Sequence, residues 1–221
     1  MSLYIISTPI GNLEDITIRA INTLSKVDII LAEDTRKTKI LLDKYQINDK
    51  KLIPYFSGNE KKIVNSVINM LKEGKEIGMV SEAGTPLISD PGYILVKKAI
   101  EENIKVIPIP GVTAFTTLLP VSGLPVSSFY FVGFLSNKKI KKRNQLGKLK
   151  NLETVIVLYE SVHRIEDTIE AIKEVFGKNI EIVIGRELTK KYEEIIRGQA
   201  GSININFEKK GEFCIIINNI T

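Results

Sequence analysis

The stretch that decides the fold runs from residue 76 to residue 92 and reads Glu76-Ile77-Gly78-Met79-Val80-Ser81-Glu82-Ala83-Gly84-Thr85-Pro86-Leu87-Ile88-Ser89-Asp90-Pro91-Gly92. Its apolar start is typical of a short strand, and residues 93–100, after the loop, have the pattern of a helix. In open α/β folds a ligand binds in such a loop, outside the carboxyl end of the strand. The two loop glycines allow positive φ and a close ligand approach, while the two prolines fix φ. The pattern predicts a ligand-binding loop, with an ordinary βα connection as the alternative.

The N-terminal half alternates apolar strands with amphipathic helices. Strands are predicted at residues 3–7, 27–31 and 105–109, and one helix over residues 60–73. Another helix is predicted from about Asp15, which we expect to be its N-cap. Apolar strands in a βαβα order indicate a parallel sheet covered on both faces. Loops rich in Pro, Gly, Ser and Thr follow several of these strands, and because the carboxyl ends of parallel strands share one edge, the loops predict a single site.

The C-terminal half resumes this rhythm after a turn-forming segment at residues 121–125, which predicts a domain boundary. Helices are predicted over the basic segment and over residues 165–176, while residues 192–197 are ambiguous. Strands are predicted at residues 129–135, 154–159, 180–184 and 213–218. The predicted fold class is therefore α/β with two α/β domains: residues 1–121, built on a parallel sheet, and residues 122–221.

Composition limits the classes of function. The 221 residues have the apolar and charged fractions of a globular protein, and nothing approaches the roughly 18 consecutive apolar residues of a membrane span. The apolar start of the chain has the pattern of a first strand and not of a signal peptide. A lone cysteine, Cys214, excludes an internal disulfide and fits a reducing cytoplasm. The absence of Cys/His clusters argues against a structural zinc site.

Positive charge is concentrated in one window of the C-terminal half, although the formal net charge of +5 is modest. Such a window is a candidate footprint for a phosphate backbone. The alternative is a solvated helix face. The basic residues of this window are Lys138, Lys139, Lys141, Lys142, Arg143, Lys148 and Lys150.

Several motifs carry a resemblance to a known family. They are the opening run of residues 3–17, Ala32-Glu33-Asp34-Thr35-Arg36, the loop 81–92, Tyr159-Glu160-Ser161-Val162-His163-Arg164, Gly185-Arg186-Glu187-Leu188-Thr189-Lys190 and Gly211-Glu212-Phe213. In these motifs and their order the chain resembles the members of the S-adenosylmethionine-dependent tetrapyrrole methylase superfamily that methylate small-subunit ribosomal RNA. It departs from them at Val162, where proline is usual, and at Glu82, where aspartate is usual. It also ends soon after the last strand, so any RNA contact made by the C-terminal extension of many relatives is expected to be missing.

The resemblance implies two α/β domains with S-adenosylmethionine in the cleft between them, and commonly a homodimer without a membrane partner. It implies methyl transfer to the ribose 2′-oxygen of a cytidine in the decoding region of 16S rRNA, within the 30S subunit. For loop residues such as Thr113, helix N-capping is an alternative or additional role. The cofactor positions that it implies are Pro9, Ile10, Gly84, Thr85, Ile88, Thr113, Ala114, Leu158 and Tyr159.

Methylation of a ribose hydroxyl is an in-line displacement, so it needs alignment and help in removing the hydroxyl proton. Glu160, His163 and Glu187 are candidate bases, because they follow strands whose ends are expected to border the cleft. For His163, which lies at a helix start, structural support of the turn is the alternative. Arg186, with Arg164 and Lys190, is a candidate to bind phosphate or to stabilise the alkoxide. No metal is needed for this chemistry. The predicted RNA-binding residues are Arg36, Lys138, Lys141, Lys142, Arg143, Arg164 and Lys190, with a structural ion pair as the alternative for Arg36.

Three other functions compete with this prediction. A tetrapyrrole C-methyltransferase of the same superfamily typically has a Gly-rich, Asp-containing first loop, whereas residues 8–12 read Thr-Pro-Ile-Gly-Asn, and Thr85 replaces the usual central Asp. A ribosome-maturation factor on the same fold need not bind the methyl donor. A nucleotide hydrolase is disfavoured because the chain lacks a G-x-x-x-x-G-K-[ST] loop.

Overall fold

The computed structural model describes residues 1–204 and 211–220. The chain divides into two compact units, Met1–Thr113 and Ala114–Thr221. The sequence placed this boundary after residue 121, beyond the short helix α5 (Ala114–Leu118). This helix belongs to unit 2 because Leu118 packs on the strand that contains Gly185, where an added Cβ would lie 2.9 Å from the leucine Cδ1.

Unit 1 is a five-stranded sheet in the order β3-β2-β4-β1-β5, with every neighbouring pair parallel. Helices α3 and α4 bury apolar side chains in a core on one face, and α1 and α2 do so in a second core on the other. The predicted parallel sheet with two covered faces is confirmed. Its strands are β1 (Ser2–Ile6), β2 (Ile29–Ala32), β3 (Lys51–Pro54), β4 (Ile77–Val80) and β5 (Lys105–Ile109), and its helices are α1 (Ile18–Lys26), α2 (Thr35–Lys44), α3 (Glu60–Lys72) and α4 (Tyr93–Glu101).

The start of α1 differs from the prediction. Residues Leu13–Asp15 form a 3₁₀ turn, and the hydroxyl of Thr17 accepts a hydrogen bond from the N–H of Ala20 at 3.1 Å. Thr17 is therefore the N-cap in place of Asp15. A threonine hydroxyl satisfies an N-terminal helix amide in the same way as a carboxylate does, so both residue types fit the pattern.

Unit 2 is a mixed five-stranded sheet in the order β6-β7-β10-β8-β9. Only β6 and β7 are parallel, and the other neighbouring pairs are antiparallel. The ambiguous residues 192–197 contribute to the edge strand β9. Apolar side chains of α6 and α7 pack against this sheet in one core. The strands are β6 (Phe129–Phe134), β7 (Val155–Ser161), β8 (Glu181–Arg186), β9 (Glu194–Gln199) and β10 (Glu212–Asn218), and the remaining helices are α6 (Lys139–Leu149) and α7 (Ile165–Phe176).

Three further features bear on the sequence expectations. Within residues 1–204 and 211–220, no helix is both long enough and apolar enough to span a membrane. Over the same residues, no group of three or more His, Cys, Asp or Glu side chains is arranged to hold a metal ion. Cys214 lies inside β10, where burial raises the pKa of its thiol, so it acts as a small apolar core residue.

Candidate functional site

Three loops meet at the carboxyl edge of the sheet of unit 1. They follow β1, β4 and β5, as the sequence predicted. Thr8 in the first loop and Gly84 in the second exchange both backbone hydrogen bonds, with N···O distances of 2.8 and 3.1 Å. The N–H of Ser7 donates to the carbonyl of Ile109 at the end of β5, at 3.1 Å. These bonds join the loops through their backbones, so their relative positions do not depend on flexible side chains.

The hydroxyl of Thr85 connects the same three loops through side chains. It donates to the carbonyl oxygen of Val112 at 3.1 Å and lies 2.9 Å from the hydroxyl of Ser7. Because the Thr85 proton is used on Val112, the Ser7 hydroxyl is the donor in the second bond. A hydroxyl at residue 85 therefore holds the loops after β1 and β5 against the loop after β4.

Gly84 allows the backbones of these loops to approach closely. Its φ is +83°, and an added Cβ would lie 3.2 Å from Cγ2 of Ile10 and 3.5 Å from the carbonyl oxygen of Val112. A side chain at this position would be strained in its backbone conformation and crowded by both neighbouring loops. The glycine thus allows the three loops to pack closely together.

The loop between β4 and α4 also stores backbone strain. Leu87 and Ser89 have φ values of 71° and 68°, which are uncommon for residues with a Cβ. The end of the loop is fixed because the N–H of Gly92 donates to Oε1 of Glu60 at 2.9 Å. Strained residues that their surroundings hold in place are concentrated at ligand sites, which makes this loop the strongest candidate in unit 1.

The structure places the implied cofactor residues of unit 1 on these loops. Pro9 and Thr113 are buried, whereas Ile10, Thr85 and Ile88 remain partly exposed. A cofactor with an adenine ring, a carboxylate and a sulfonium needs apolar cover together with backbone amides in turns. Partly exposed isoleucines beside a turn with positive φ values match that requirement, so the residues present fit S-adenosylmethionine.

The remaining cofactor candidates lie in unit 2. Ala114 begins α5, and the next residue, Phe115, has its N–H 3.4 Å from the hydroxyl oxygen of Tyr159 on β7. Leu158 is fully buried in the core of unit 2, and its strand is paired on both sides. A ligand contact through the Leu158 side chain is therefore excluded, while Tyr159 stays a cofactor prediction.

Glu160 is corrected from a candidate base to a buried partner of cations. It is 1% exposed, and its Oε1 lies 2.8 Å from Nη2 of Arg164. Its Oε2 accepts a hydrogen bond of 2.6 Å from Thr168, whose hydroxyl in turn accepts one of 2.7 Å from Nζ of Lys142. A carboxylate with both oxygens engaged inside the protein cannot reach a substrate hydroxyl.

The same network corrects the prediction for Lys142. This residue is 3% exposed and points from α6 into the core of unit 2, so it is not part of a surface that could bind RNA. Its neighbour Arg143 forms an ion pair with Glu174 of α7. Lys138, Lys139 and Lys141 are exposed at the start of α6. The accessible basic surface is therefore smaller than the sequence predicted.

Glu187 lies in a tight turn after β8, with φ of 48°. Its Oε1 accepts hydrogen bonds from Nζ of Lys190 at 2.9 Å and from the N–H of Glu212 at 3.1 Å. Burial alone would raise the pKa of Glu187, but these bonds and the charges of Lys190 and Arg186 outweigh it and lower the pKa. Lys190 also pairs with Glu212 at 3.0 Å. A carboxylate held in its ionised form by a lysine is a weak base, so this cluster is suited to holding the turn.

The other predicted site residues differ in accessibility. Arg186 is buried at the end of β8, with Nη1 3.6 Å from Oε2 of Glu194. His163 is exposed in the turn between β7 and α7. Arg36 makes a two-point contact with Asp34, at 2.8 and 3.1 Å, yet 89% of its side chain is exposed. The structural ion pair and a phosphate contact are thus compatible at Arg36, and Asp34, whose pKa is lowered by that pairing, also caps α2.

The comparisons with known proteins agree with this geometry. Residues 2–204 match the family described as Tetrapyrrole (Corrin/Porphyrin) Methylases. The chain is 47% identical to the ribosomal RNA small subunit methyltransferase I of Thermotoga maritima, over 98% of this chain and 97% of that protein. It is also 47% identical to the protein of the same name from Halalkalibacterium halodurans, over 98% of this chain and 75% of the relative. The chain belongs to the ribosomal RNA small subunit methyltransferase I family of tetrapyrrole methylases.

The methylase fold is confirmed by a solved structure as well. The uroporphyrin-III C-methyltransferase from Thermus thermophilus superposes with a TM-score of 0.69 over 99% of this chain and 95% of that chain. The two sequences are only 16% identical, so the likeness shows the fold alone. It confirms the predicted fold class of two α/β units for this member of the methylase family.

Two residues of this methylase were not singled out from the sequence. Ser7 joins the loops of unit 1 through Thr85, and Phe134 exposes its ring beside Arg164 in unit 2. Ser7 directly precedes a Thr-Pro loop at a strand end, which is a signal that sequence reasoning could have used. Phe134 looked like an ordinary strand residue, because the bulge that turns it outward leaves no mark in the hydrophobic pattern.

Proposed function

We propose that this chain transfers a methyl group from S-adenosylmethionine to the ribose 2′-oxygen of a cytidine in the decoding region of 16S rRNA. The single observation that carries the proposal is the 47% identity to the Thermotoga maritima protein across nearly the full length of both chains. The named activity of that relative is methylation of small-subunit ribosomal RNA. The cytidine and the 2′-oxygen come from the family resemblance of the motifs.

The residues that would hold the donor in unit 1 are Ile10, Thr85 and Ile88, with Gly84 beside them. The backbone amides of the loop between β4 and α4 can receive a carboxylate, and the two isoleucines offer apolar cover for an adenine. Thr85 is already fixed by Ser7 and Val112, so it supports the loop without rearrangement. When bound, S-adenosylmethionine supplies an activated methyl group on a positively charged sulfur. Ala114 and Tyr159 are the proposed contributors from unit 2.

Among the three candidate bases, the structure favours His163. Glu160 is buried and paired, and the ionised form of Glu187 is stabilised by Lys190. His163 is exposed in the turn that also carries Arg164. We assign to His163 the removal of the hydroxyl proton, a step in which a positioned base typically contributes roughly 10²–10⁴-fold. Most of the remaining acceleration comes from alignment of the hydroxyl.

The residues that we propose to contact RNA are the exposed Lys138 and Lys141 at the start of α6, the partly buried Lys190, also in unit 2, and Arg36 in unit 1. Phosphate contacts of this kind provide affinity and orientation, and they carry little sequence information. Selection of one nucleotide must therefore take place at the site itself. The family resemblance adds a homodimer to the proposal, which light scattering of the purified protein measures. The lone cysteine adds a cytoplasmic location.

Mass spectrometry of 16S rRNA digests from cells with and without this protein tests the proposed function. The expected result is a ribose-methylated cytidine that disappears when the gene is deleted and returns when the gene is restored. A plasmid-encoded His163→Gln variant is a second arm, and we expect it to restore little of the modification. Unchanged 16S rRNA after deletion, together with methylation of a tetrapyrrole by the purified protein, would replace the RNA proposal by the competing one.

A further inference from the structure

An aromatic ring and a guanidinium lie together at the carboxyl end of β6. Phe134 is 51% exposed, and Cζ of Arg164 lies 5.9 Å from the centroid of its ring. The ring of Tyr159 packs against the ring of Phe134 in a T-shaped contact, with the two centroids 5.8 Å apart. We call Phe134 and Arg164 the Phe134–Arg164 platform. Its ring is open to solvent and adjoins a residue that we propose to contact the donor.

A β-bulge directs Phe134 to this position. The parallel pairing of β6 with β7 shifts register between Phe131 and Gly133, and Gly133 has φ of 73°. Phe131 stands opposite Val157, and Phe134 stands opposite Tyr159. Without the bulge, residues three apart on a strand would point to opposite faces, whereas here both phenylalanines share the face of Tyr159. Bulges commonly re-aim side chains beside active sites.

The guanidinium of Arg164 is held from several sides. Nη2 lies 2.8 Å from Oε1 of Glu160, Nη1 donates to the carbonyl of Leu135 at 3.3 Å, and Nε donates to Ser161 Oγ at 3.3 Å. Arg164 therefore connects the loop after β6 with the turn after β7. The guanidinium has five N–H donors, and these contacts leave some of them available to a ligand. The side chain of Arg164 is 27% exposed. The buried Glu160 fixes its orientation.

We propose that the Phe134–Arg164 platform binds one nucleotide of the rRNA substrate, with the base stacked on Phe134 and a neighbouring phosphate held by Arg164. Glu160 is then a positioning residue that acts through Arg164. The inference rests on the proposed function and adds a binding site for one nucleotide of the RNA strand. Proteins bind splayed-out RNA bases by stacking on aromatic rings and arginine planes, and Arg pairs with phosphate in two-point contacts.

Charge identifies the occupant as RNA and not as an apolar partner. Three exposed lysines, Lys138, Lys139 and Lys141, follow Phe134 in the chain after residues 135–137. The platform offers a π-face beside a guanidinium, and the stretch of chain after the ring adds exposed lysines. A single-stranded nucleotide presents a complementary flat base and an anionic phosphate. An apolar partner would cover the remaining N–H donors of the guanidinium without offering them an acceptor.

The test uses methyl transfer to 30S subunits that lack the modification. Phe134→Leu keeps an apolar side chain but removes the stacking surface, and Tyr130→Leu is the matched control. Tyr130 is 49% exposed on the same strand, but it stands opposite Ile156 and so faces the other side of the sheet. We expect Phe134→Leu to raise the KM for 30S subunits about tenfold, the order found for loss of one stacked base. The affinity for S-adenosylmethionine should be unchanged, and Tyr130→Leu should alter neither quantity.

The positioning role of Glu160 is tested by a double-mutant cycle. Glu160→Gln is expected to raise the same KM. The double variant Glu160→Gln/Phe134→Leu should raise the KM by less than the product of the two single factors, since both changes act on one platform. A lowered melting temperature alone does not produce such coupling. Phe134→Trp keeps an aromatic stacking surface, so its KM for 30S subunits should equal that of the wild type. Because the chain has no tryptophan, the emission of this variant also reports stacking directly, by quenching with single-stranded RNA.

The outcomes separate this inference from the proposed function. If the wild-type protein methylates 16S rRNA but Phe134→Leu changes the KM less than about twofold, the platform does not bind a nucleotide. If the two single effects on the KM multiply in the double variant, Glu160 does not act through the platform. If the wild-type protein transfers no methyl group to rRNA, the proposed function fails first. Methylation of a porphyrinogen that depends on Phe134 would overturn the inference by assigning the platform to a tetrapyrrole.

Discussion

Thr8 and Gly84 exchange two backbone hydrogen bonds, of 2.8 and 3.1 Å, although 76 residues separate them in the chain. This pairing connects the loop after β1 with the loop after β4. Because the strands themselves are parallel neighbours, the bridge extends their association beyond the sheet edge. The two loops of the candidate site in unit 1 are therefore joined through their backbones directly beyond the paired strands.

Gly84→Ala should weaken donor binding at a limited cost in stability. An alanine at φ of +83° and 3.2 Å from Ile10 displaces the loops, and the left-handed conformation alone costs about 1–2 kcal/mol. Gly74→Ala is the matched control, since Gly74 has φ of +93° with open space around it. Urea unfolding should show similar losses for both variants, while calorimetric titration with S-adenosylmethionine should show weaker binding for Gly84→Ala only. If both variants bind S-adenosylmethionine with equal affinity, Gly84 is not part of the donor site.

Lys142→Met should destabilise the protein by about 3–5 kcal/mol, because it removes a cation from the buried network around Glu160. Lys141→Met, at the exposed neighbouring position, should change stability by about 0.5 kcal/mol or less. Chemical unfolding of both variants measures the difference. The reverse order of stabilities would place residue 142 at the surface and contradict its burial.

Lys138→Gln combined with Lys141→Gln should weaken RNA binding and its dependence on salt. Removal of one phosphate interaction lowers the slope of log K against log salt by about 0.7 for a single strand. The control pair Lys61→Gln and Lys62→Gln makes the same change of charge on α3, where both side chains are exposed. Binding to 30S subunits at several salt concentrations measures the slopes. An identical decrease in both pairs would indicate a general charge effect without a specific surface.

Glu187→Gln should reduce stability in a pH-dependent way. The pKa of Glu187 is lower in the folded than in the unfolded chain, so its contribution is full above the ordinary glutamate pKa and is lost as pH falls through the folded value. The difference in melting temperature between wild type and variant should therefore be constant near neutral pH and shrink below about pH 4. Glu73→Gln, an exposed change at the end of α3, is the control. A difference that grows with acidity would show that the pKa is raised instead.

Much of the fold follows from periodic patterns. The helix over residues 165–176 and the strand over residues 105–109 have the predicted bounds, because their apolar spacing is clear. Strand β3 was missed, since Lys51–Pro54 offers only two apolar residues between a lysine and a proline. Edge strands such as β3 and β9 bury little, so their pattern is weak. The common edge of the three loops was predictable because parallel strands impose it.

The site was less predictable where tertiary packing decides the role of a residue. Lys142 is one of several adjacent basic residues, and only the position of Glu160 beneath α6 explains its burial. Glu160 looked like a base because it follows a strand, as catalytic residues often do. In the structure, that carboxylate forms a buried ion pair with Arg164. No spacing rule within the sequence predicts contacts between separate helices and a strand.

The most direct test is incubation of unmodified 30S subunits with the purified protein and S-adenosylmethionine carrying a deuterated methyl group, followed by mass spectrometry of the 16S rRNA nucleosides. The predicted result is label on the ribose of one cytidine, formed by the wild-type protein and greatly reduced with Gly84→Ala. Label on a base, or no label in rRNA from a protein that binds the donor, would contradict the account.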